Sequence, residues 1–346
     1  MVIAKGLGRR ASPGGTIIVM KTRELGTLQV PALGFGAMVL SPGVYGDVDD
    51  TRAEKALQAA LDGGATHIDT SDAYGVDGHN ERLVGRALKG RPRDEVVVAT
   101  KFGLAIPEGE PSRPYPVGYA FNELRVNADP RLVRRYAERS LRNLGTDVID
   151  LYYLHYPDPG VPVEETVGAM ADLVRDGLIR HIGLSNVTAA QLRAAHAVHP
   201  VTAVQNEWSM WRPVEPDLLA AARELGVGLV AWSPLGNGFL TGTVQRLEEG
   251  DFRHNAPRFS AENLAGNNDR YAPIRALAAS LGITPAQLAL SWLLHQDEHV
   301  VAIPGSRTPA HIEENLAAAD LTLHPDTLHR IDEALVRFDV SGGTLL

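Results

Sequence analysis

Two rhythms of apolar residues alternate along the chain. Short runs that are apolar almost throughout recur between stretches whose apolar residues return every three or four positions. The runs are LGFG (33–36), ATHID (65–69), EVVVATK (95–101), VIDLYYLH (148–155), LIRHIGLS (178–185), VTAVQNE (201–207), VGLVAWS (227–233) and HVVAIPG (299–305). Continuous apolar runs of this length are expected of parallel strands covered on both faces. The intervening stretches carry helix signals. Thr51, Thr188 and Thr284 are followed three positions on by Glu54, Gln191 and Gln287, the spacing of a capping box. Pro130, Pro285 and Pro309 sit where a first helical residue costs no hydrogen bond. Gly63, Gly177, Gly226 and Gly282 follow helical runs, as left-handed caps do. Strands alternating with helices in this way predict an α/β fold, a (β/α)8 TIM barrel. A doubly wound open sheet is the alternative, but its first turn, GFGAMVLSPG, lacks the third glycine and the helix that fold requires.

Further pieces flank and interrupt the repeat. Residues 17–31 read as an N-terminal β-hairpin closing the barrel bottom, and 325–338 as an extra C-terminal helix. Long connections at 102–128 and about 234–270 follow strands three and seven, on the face where such barrels carry lids and binding loops. Residues 20–346 are therefore expected to form one barrel. Residues 1–19 are expected to be a disordered extension, or to lie upstream of a true start at Met20. The match of Gly6-Leu7-Gly8-Arg9-Arg10-Ala11 to a dinucleotide fingerprint is read as chance, because Ser12-Pro13-Gly14-Gly15 stops any helix at once.

Composition narrows the partners. The net charge is −9 and cysteine is absent, so there is no electrostatic footprint for nucleic acid, no disulfide and no thiolate metal site. The basic run RLVRRYAERSLR (131–142) has helical spacing and reads as a solvated face. No apolar run approaches the roughly 18 residues of a membrane span, and the twin arginines Arg9 and Arg10 precede no secretory core. The expected location is cytoplasmic, with no membrane partner; the oligomeric state is open.

The strand ends carry the chemistry. Asp69, Lys101, His155, Ser185-Asn186, Gln205, Ser233 and Gly305-Ser306-Arg307 stand where successive apolar runs stop. Lys101 follows Val-Val-Val-Ala-Thr, and a lysine so placed needs a partner, for which Asp69 is the neighbour. Tyr74 lies five residues beyond Asp69, where the ammonium is expected to lower the phenol's pKa; His155 could donate to the same reacting oxygen. A structural ion pair and a satisfied core histidine remain alternatives. Ser185, Asn186 and Gln205 offer groups for a carboxamide, Trp232 a ring face, and the Gly-Ser-Arg turn before Thr308-Pro309 a helix-start anion site. Trp232 as core and Arg307 as surface charge are the plainer readings.

DTSDAYG, VVATKFG, DLYYLH, GLSN, VQNEWS, LVAWSPLGNG and IPGSRTPAHIEEN, in this order, resemble the aldo-keto reductase superfamily over about residues 20–340. The resemblance implies NADP(H) bound without a Rossmann domain, and hydride transfer from nicotinamide C4 to an aldehyde or ketone. It makes Tyr74 the general acid, tuned by Asp69 and Lys101, with His155 orienting the carbonyl. It makes Ser185, Asn186 and Gln205 the carboxamide holders and Trp232 the stacking ring. Ser233, Leu235 and Asn237 would meet the pyrophosphate, Ser306 and Arg307 the 2′-phosphate, and Glu314 and Asn315 the adenine. Asp72 matches no family role and reads as a turn residue.

Gly305 and His311 fall in the same cofactor-binding stretch but depart from the Lys and Arg of many members, leaving Arg307 to supply the charge. That pattern resembles the bacterial and potassium-channel-β-like branches, and admits NAD(H) as a second coenzyme at lower preference. A small carbonyl substrate is implied. Candidate walls are Val44, Tyr45, Phe102, Tyr115, Tyr119, Phe121, Trp208 and Trp211, which suit an apolar or ring-bearing one. A nicotinamide-binding regulatory subunit with slow turnover is the alternative function. A Schiff-base aldolase using Lys101 is a third, which would not need the Ser-Asn-Gln set.

Overall fold

A computed structural model describes residues 2–4, 8–12, 15–46, 48–118, 123–247 and 249–344. Eight parallel strands form one sheet: β1 (Phe35–Gly36), β2 (His67–Asp69), β3 (Val97–Phe102), β4 (Ile149–Leu154), β5 (Ile179–Ser185), β6 (Ala203–Glu207), β7 (Gly228–Trp232) and β8 (Val300–Ala302). Each pairs with its sequence neighbours. The ends meet where Leu33 bridges Ala302, with the Gly34 amide donating to the Ala302 carbonyl at 2.9 Å, so the sheet closes into the expected (β/α)8 barrel.

Strand parity decides which residues see the barrel interior. Ala99, Leu151, Tyr153, Ala203, Val230 and Val301 pack together inside, while Ile68, Val98, Phe102, Tyr152 and Val204 join the larger core under the helices. The interior positions one step further toward the C-terminal ends are Asp69, Lys101, Ser185, Gln205 and Trp232. The same alternation that fills the barrel with apolar side chains thus ends, at its top, in polar ones. Tyr153 occupies so much of the middle that a Cβ on Gly183 would lie 2.3 Å from its ring.

The expected hairpin closes the bottom, but over a shorter span: Thr22–Leu25 pairs antiparallel with Leu28–Pro31. Residues 17–19, expected to begin it, instead belong to Gly15–Val19, which pairs with Gly8–Ser12, and Val2–Ala4 pairs with Leu321–Leu323. Leu25 and Val30 enter the interior core, and Arg23 donates to the carbonyls of Leu294, Asp297 and Val300 at 2.5–2.6 Å. Gly228 gives Leu25 its space; a Cβ there would lie 2.3 Å from the leucine side chain and 2.5 Å from its backbone.

Ten helices surround the strands among the described residues: α1 (Asp50–Asp62), α2 (His79–Ala87), α3 (Pro130–Leu144), α4 (Val163–Arg175), α5 (Ala189–Val198), α6 (Pro216–Leu225), α7 (Ala261–Ser280), α8 (Pro285–Leu294), α9 (Pro309–Leu316) and α10 (Pro325–Val336). The capping boxes at Thr188 and Thr284 form, and Pro130, Pro285 and Pro309 open their helices. Thr51 does not cap: the helix begins two residues before it, at an N-cap Asp49 whose carboxylate accepts from the free Arg52 amide. Gly177, Gly226 and Gly282 take positive φ, whereas Gly63 stays right-handed and Gly64 makes the turn at φ 91°. The 102–128 connection holds a small hairpin, Arg113–Tyr115 with Leu124–Val126. Arg113 reaches the buried carboxylate of Asp158 at 3.0 Å, which ties that hairpin to the barrel top. After α10 the chain returns across α7, where Asn267 bonds Ser341 in both directions and Thr344 donates to the buried Glu207. No single helix is long and apolar enough to cross a membrane among the described residues.

Gly228→Ala should destabilise the protein by about 1–3 kcal/mol, the usual cost of overpacking. A lowered urea midpoint with an unchanged slope is the expected outcome; an unchanged midpoint would mean the hairpin does not bear on β7 there.

Candidate active site

Asp69 ends β2, yet the chain continues alongside β3, with the Thr70 amide on the Ala99 carbonyl and the Asp72 amide on the Lys101 carbonyl. The loop then turns back, and Asn80 holds it: its Oδ1 accepts from Thr70 at 2.6 Å and its amide donates to the Ala37 carbonyl and to Ser41. This path sets the Tyr74 hydroxyl 3.3 Å from the Lys101 ammonium. The ammonium spends its other protons on Asp69 and on the Thr70 carbonyl at 2.9 Å. Gln205 donates to the second Asp69 oxygen at 2.8 Å. Lys101 and Asp69 are 1% and 2% exposed, so the pair is fully desolvated and each charge depends on the other.

His155 follows β4, its amide on the Phe102 carbonyl, and its ring meets Tyr74 edge-on with centroids 5.8 Å apart. Asp69, Tyr74, Lys101 and His155 thus come together at one end of the barrel. Burial and the Lys101 charge push His155 well below its ordinary pKa, so the ring is neutral. The phenol is not lowered as expected. Burial, with Asp69 and Asp72 nearby, pushes Tyr74 well above its ordinary value. Tyr74 is therefore a protonated group.

Beside this cluster, Ser185 donates to the Gln205 carbonyl, and the Asn186 amide donates to the His155 carbonyl at 3.0 Å and to Ser185. The partly exposed Trp232 donates from its indole to Asn186 Oδ1 at 3.1 Å. Beyond β7, Ser233 donates to Asn237 Oδ1 at 2.6 Å while Leu235 packs beneath in the core. Asn186, Ser233 and Asn237 all hold positive φ (58°, 48° and 52°). Non-glycine residues in that region store strain that clusters at functional sites.

The stretch after β8 is built differently at two of its residues. A Cβ on Gly305 would lie 2.4 Å from the Gly36 carbonyl, so no lysine fits there. Glu314 is bound to α8 through the Thr284 hydroxyl at 2.8 Å. Ser306 accepts from the Thr308 amide, Asn315 is buried on α9, and His311 is exposed. Arg307 is pushed below its ordinary pKa by partial burial and by Arg52 and Arg253, which crowd it. Arg253 is itself paired with Asp251 at 2.6 Å; Arg307 and Arg52 suit an anion, and the hydroxyl and amide groups beside Trp232 suit a carboxamide, so these residues fit a phosphorylated nicotinamide dinucleotide.

Several expectations need correction. Asp72 is no surface turn residue: it is buried, accepts from Arg139 at 2.8 Å, and is pushed up to about 7 by burial and by Glu81. Arg139 in turn belongs to the run read as a solvated face; Arg131 is exposed as expected, but Arg139 turns inward to Asp72 and the Ala105 carbonyl. Phe102 stacks on Tyr152 and Tyr136 under α3, on the helix-facing side of its strand, and cannot line the mouth. Trp208 is buried, and Trp211 stacks on Phe239 in the core. Tyr119 and Phe121 lie outside the described residues. Tyr115 does reach the site, packing on Tyr156, which stacks on His155.

Arg52, Arg139, Arg253 and Ser71 went unread as site residues. Arg253 donates to the Asn237 carbonyl at 2.8 Å and covers the Tyr45 ring, joining the loops after β1 and β7. Each is a common residue type in a helix or loop, and only Ser71, inside DTSDAYG, stood beside a recognised motif.

Lys101→Met should cost about 3–5 kcal/mol, because it strands a buried carboxylate. Asp69→Asn combined with Lys101→Met should cost less than the two changes summed, as read by chemical denaturation in a double-mutant cycle. Additive costs would mean the two groups do not share one ion pair.

Residues 32–336 match the model of the aldo/keto reductase family. A probable aldo-keto reductase of Glycine max is 42% identical over 326 residues, covering 92% of this chain and 90% of that one. The glycerol dehydrogenase of Gluconobacter oxydans superposes with a TM-score of 0.77 at 28% identity, over 92% of this chain and 96% of that one. An aldo-keto reductase from Klebsiella pneumoniae in complex with NADPH gives a TM-score of 0.68 at 30% identity, over 91% and 95%. The chain belongs to the aldo/keto reductase family of NADPH-dependent carbonyl reductases and is an enzyme of that family.

Proposed function

We propose that this protein reduces a small aldehyde or ketone to the alcohol with NADPH, and that Tyr74 is the general acid. The observation that carries the reading is a protonated phenol held within 3.3 Å of a buried ammonium and edge-on to a neutral imidazole, at the polar end of the barrel. NADPH, when held there, would supply the hydride for the carbonyl carbon. Tyr74 gives its proton to the carbonyl oxygen, and its hydrogen bond from Lys101 supports the phenolate that this leaves. Burial pulls Lys101 below its ordinary pKa, and the paired Asp69 opposes that loss of charge. His155, neutral, donates to the same oxygen and so orients the carbonyl. Ser185, Asn186 and Gln205 would hold the carboxamide, with Trp232 for the ring. Ser233, Leu235 and Asn237 would meet the pyrophosphate, and Ser306 and Arg307, with Arg52, the 2′-phosphate. Gly305, His311, Glu314 and Asn315 would serve the adenosine end, Glu314 from the position in which Thr284 holds it. Reliance on Arg307 in place of a lysine at Gly305 follows the pattern of the bacterial and potassium-channel-β-like branches, and leaves NADH as a weaker coenzyme. Tyr115 and Tyr156 favour an apolar or ring-bearing substrate.

Tyr74→Phe should lose about 10²–10⁴-fold in turnover of aromatic aldehydes, since the proton donor is removed, while NADPH still binds with near-unchanged affinity. Full activity in this variant would remove Tyr74 from the role. Arg307→Ala should raise the KM for NADPH about tenfold, the worth of a charge-assisted contact, and leave that for NADH nearly unchanged. Equal effects on both coenzymes would exclude a 2′-phosphate contact.

A further inference from the structure

Ser71 Oγ lies 3.1 Å from His155 Nδ1, and both residues are buried. We infer that Ser71 is a positioning residue that fixes the tautomer of His155, so that the ring carries its proton on Nε2. The inference rests on the reading of His155 as the group that orients the carbonyl.

The hydroxyl has one proton and a constrained choice of acceptor. Its oxygen already accepts from the Ala73 amide at 3.2 Å. Two acceptors remain, His155 Nδ1 at 3.1 Å and Asp72 Oδ1 at 3.4 Å. Arg139 engages the Asp72 carboxylate at 2.8 Å, and is itself anchored on the Ala105 carbonyl at 2.7 Å, so part of the carboxylate's pull is met elsewhere. The nearer imidazole nitrogen accepts the serine hydrogen bond and so carries no proton of its own. A neutral ring with a bare Nδ1 carries its hydrogen on Nε2, where it donates to the reacting oxygen.

The opposite arrangement has Nδ1–H donating to Ser71 and Ser71 donating to Asp72 over the longer distance. It would turn a lone pair of Nε2 toward an oxygen that is gaining negative charge, which repels where the other tautomer attracts. The ring cannot escape this choice by swinging away. The backbone of His155 is held at both its amide and its carbonyl, and Tyr156 stacks on the ring at 5.1 Å. Burial and Lys101 keep the ring neutral, so the tautomer is the remaining variable. Ser71 is 0% exposed, behind the His155 ring through which it acts.

The test reads ring ¹⁵N shifts and kinetics in the wild type, Ser71→Ala and Ser71→Thr, with the His155 signals assigned among the 12 histidines by their loss in His155→Gln. The expected wild-type spectrum has an unprotonated Nδ1 and a protonated Nε2. Ser71→Ala should move both nitrogens toward averaged shifts and lower kcat about tenfold, with NADPH affinity unchanged, and Ser71→Thr should restore both readouts. A wild-type Nδ1 that is protonated overturns the inference. So does a Ser71→Ala protein with wild-type shifts and wild-type kcat. The shifts need no turnover, so they judge Ser71 separately from the acid: an active Tyr74→Phe enzyme would sink the functional reading, whereas unchanged shifts beside an inactive Tyr74→Phe enzyme would sink this inference alone.

Discussion

The buried ion pair between Asp69 and Lys101 is the interaction on which the site depends. Neither charge could be kept in the barrel interior alone, and the two come from adjacent strands, so the pair can form only if β2 and β3 hold their register. Asp69 is two-sided, taking Lys101 on one oxygen and Gln205 on the other, and so links β2, β3 and β6 across the barrel mouth. The proposed acid hangs on the same lysine. Stability and chemistry therefore share one arrangement, which ties the position of Tyr74 to the closure of the sheet.

Desolvation also explains the protonation of the cluster. With the negative charges of Asp69 and Asp72 beside it, burial raises Tyr74 instead of lowering it. The same desolvation, with the residual positive potential, holds His155 neutral. A proton donor and a neutral hydrogen-bond donor result from burial acting with opposite sign on an acid and a base. The far end of the proposed cofactor site has the reverse character. Burial, Arg52 and Arg253 act against the charge of Arg307, with Asp251 offsetting part of this, and a bound anion would stabilise that charge.

Loops bring the remaining groups to the mouth. Arg253 covers Tyr45 and reaches the Asn237 carbonyl, so the connections after β1 and β7 close on each other. Arg113 and Asp158 tie down the hairpin that carries Tyr115. Arg139 runs inward from α3 to Asp72, beneath the loop that presents Tyr74. Each is a side-chain link between segments far apart in sequence.

The barrel was legible in the chain because parallel strands covered on both faces leave unbroken apolar runs, and helices announce their ends with caps and prolines. Asp69, Lys101, His155, Ser185 and Gln205 were legible too, since a polar residue where such a run stops stands at the C-terminal face. Local competition already escaped that reading, as Asp49 displacing Thr51 as a cap shows. The facing of Phe102 escaped it as well, because parity sends that ring under α3, and a continuous apolar run hides parity. The inward turn of Arg139, the gathering of Arg52 and Arg253 around Arg307, and the raised phenol of Tyr74 were decided only by the tertiary structure. Each depends on distance and desolvation between segments remote in sequence, quantities that the order of residues does not contain.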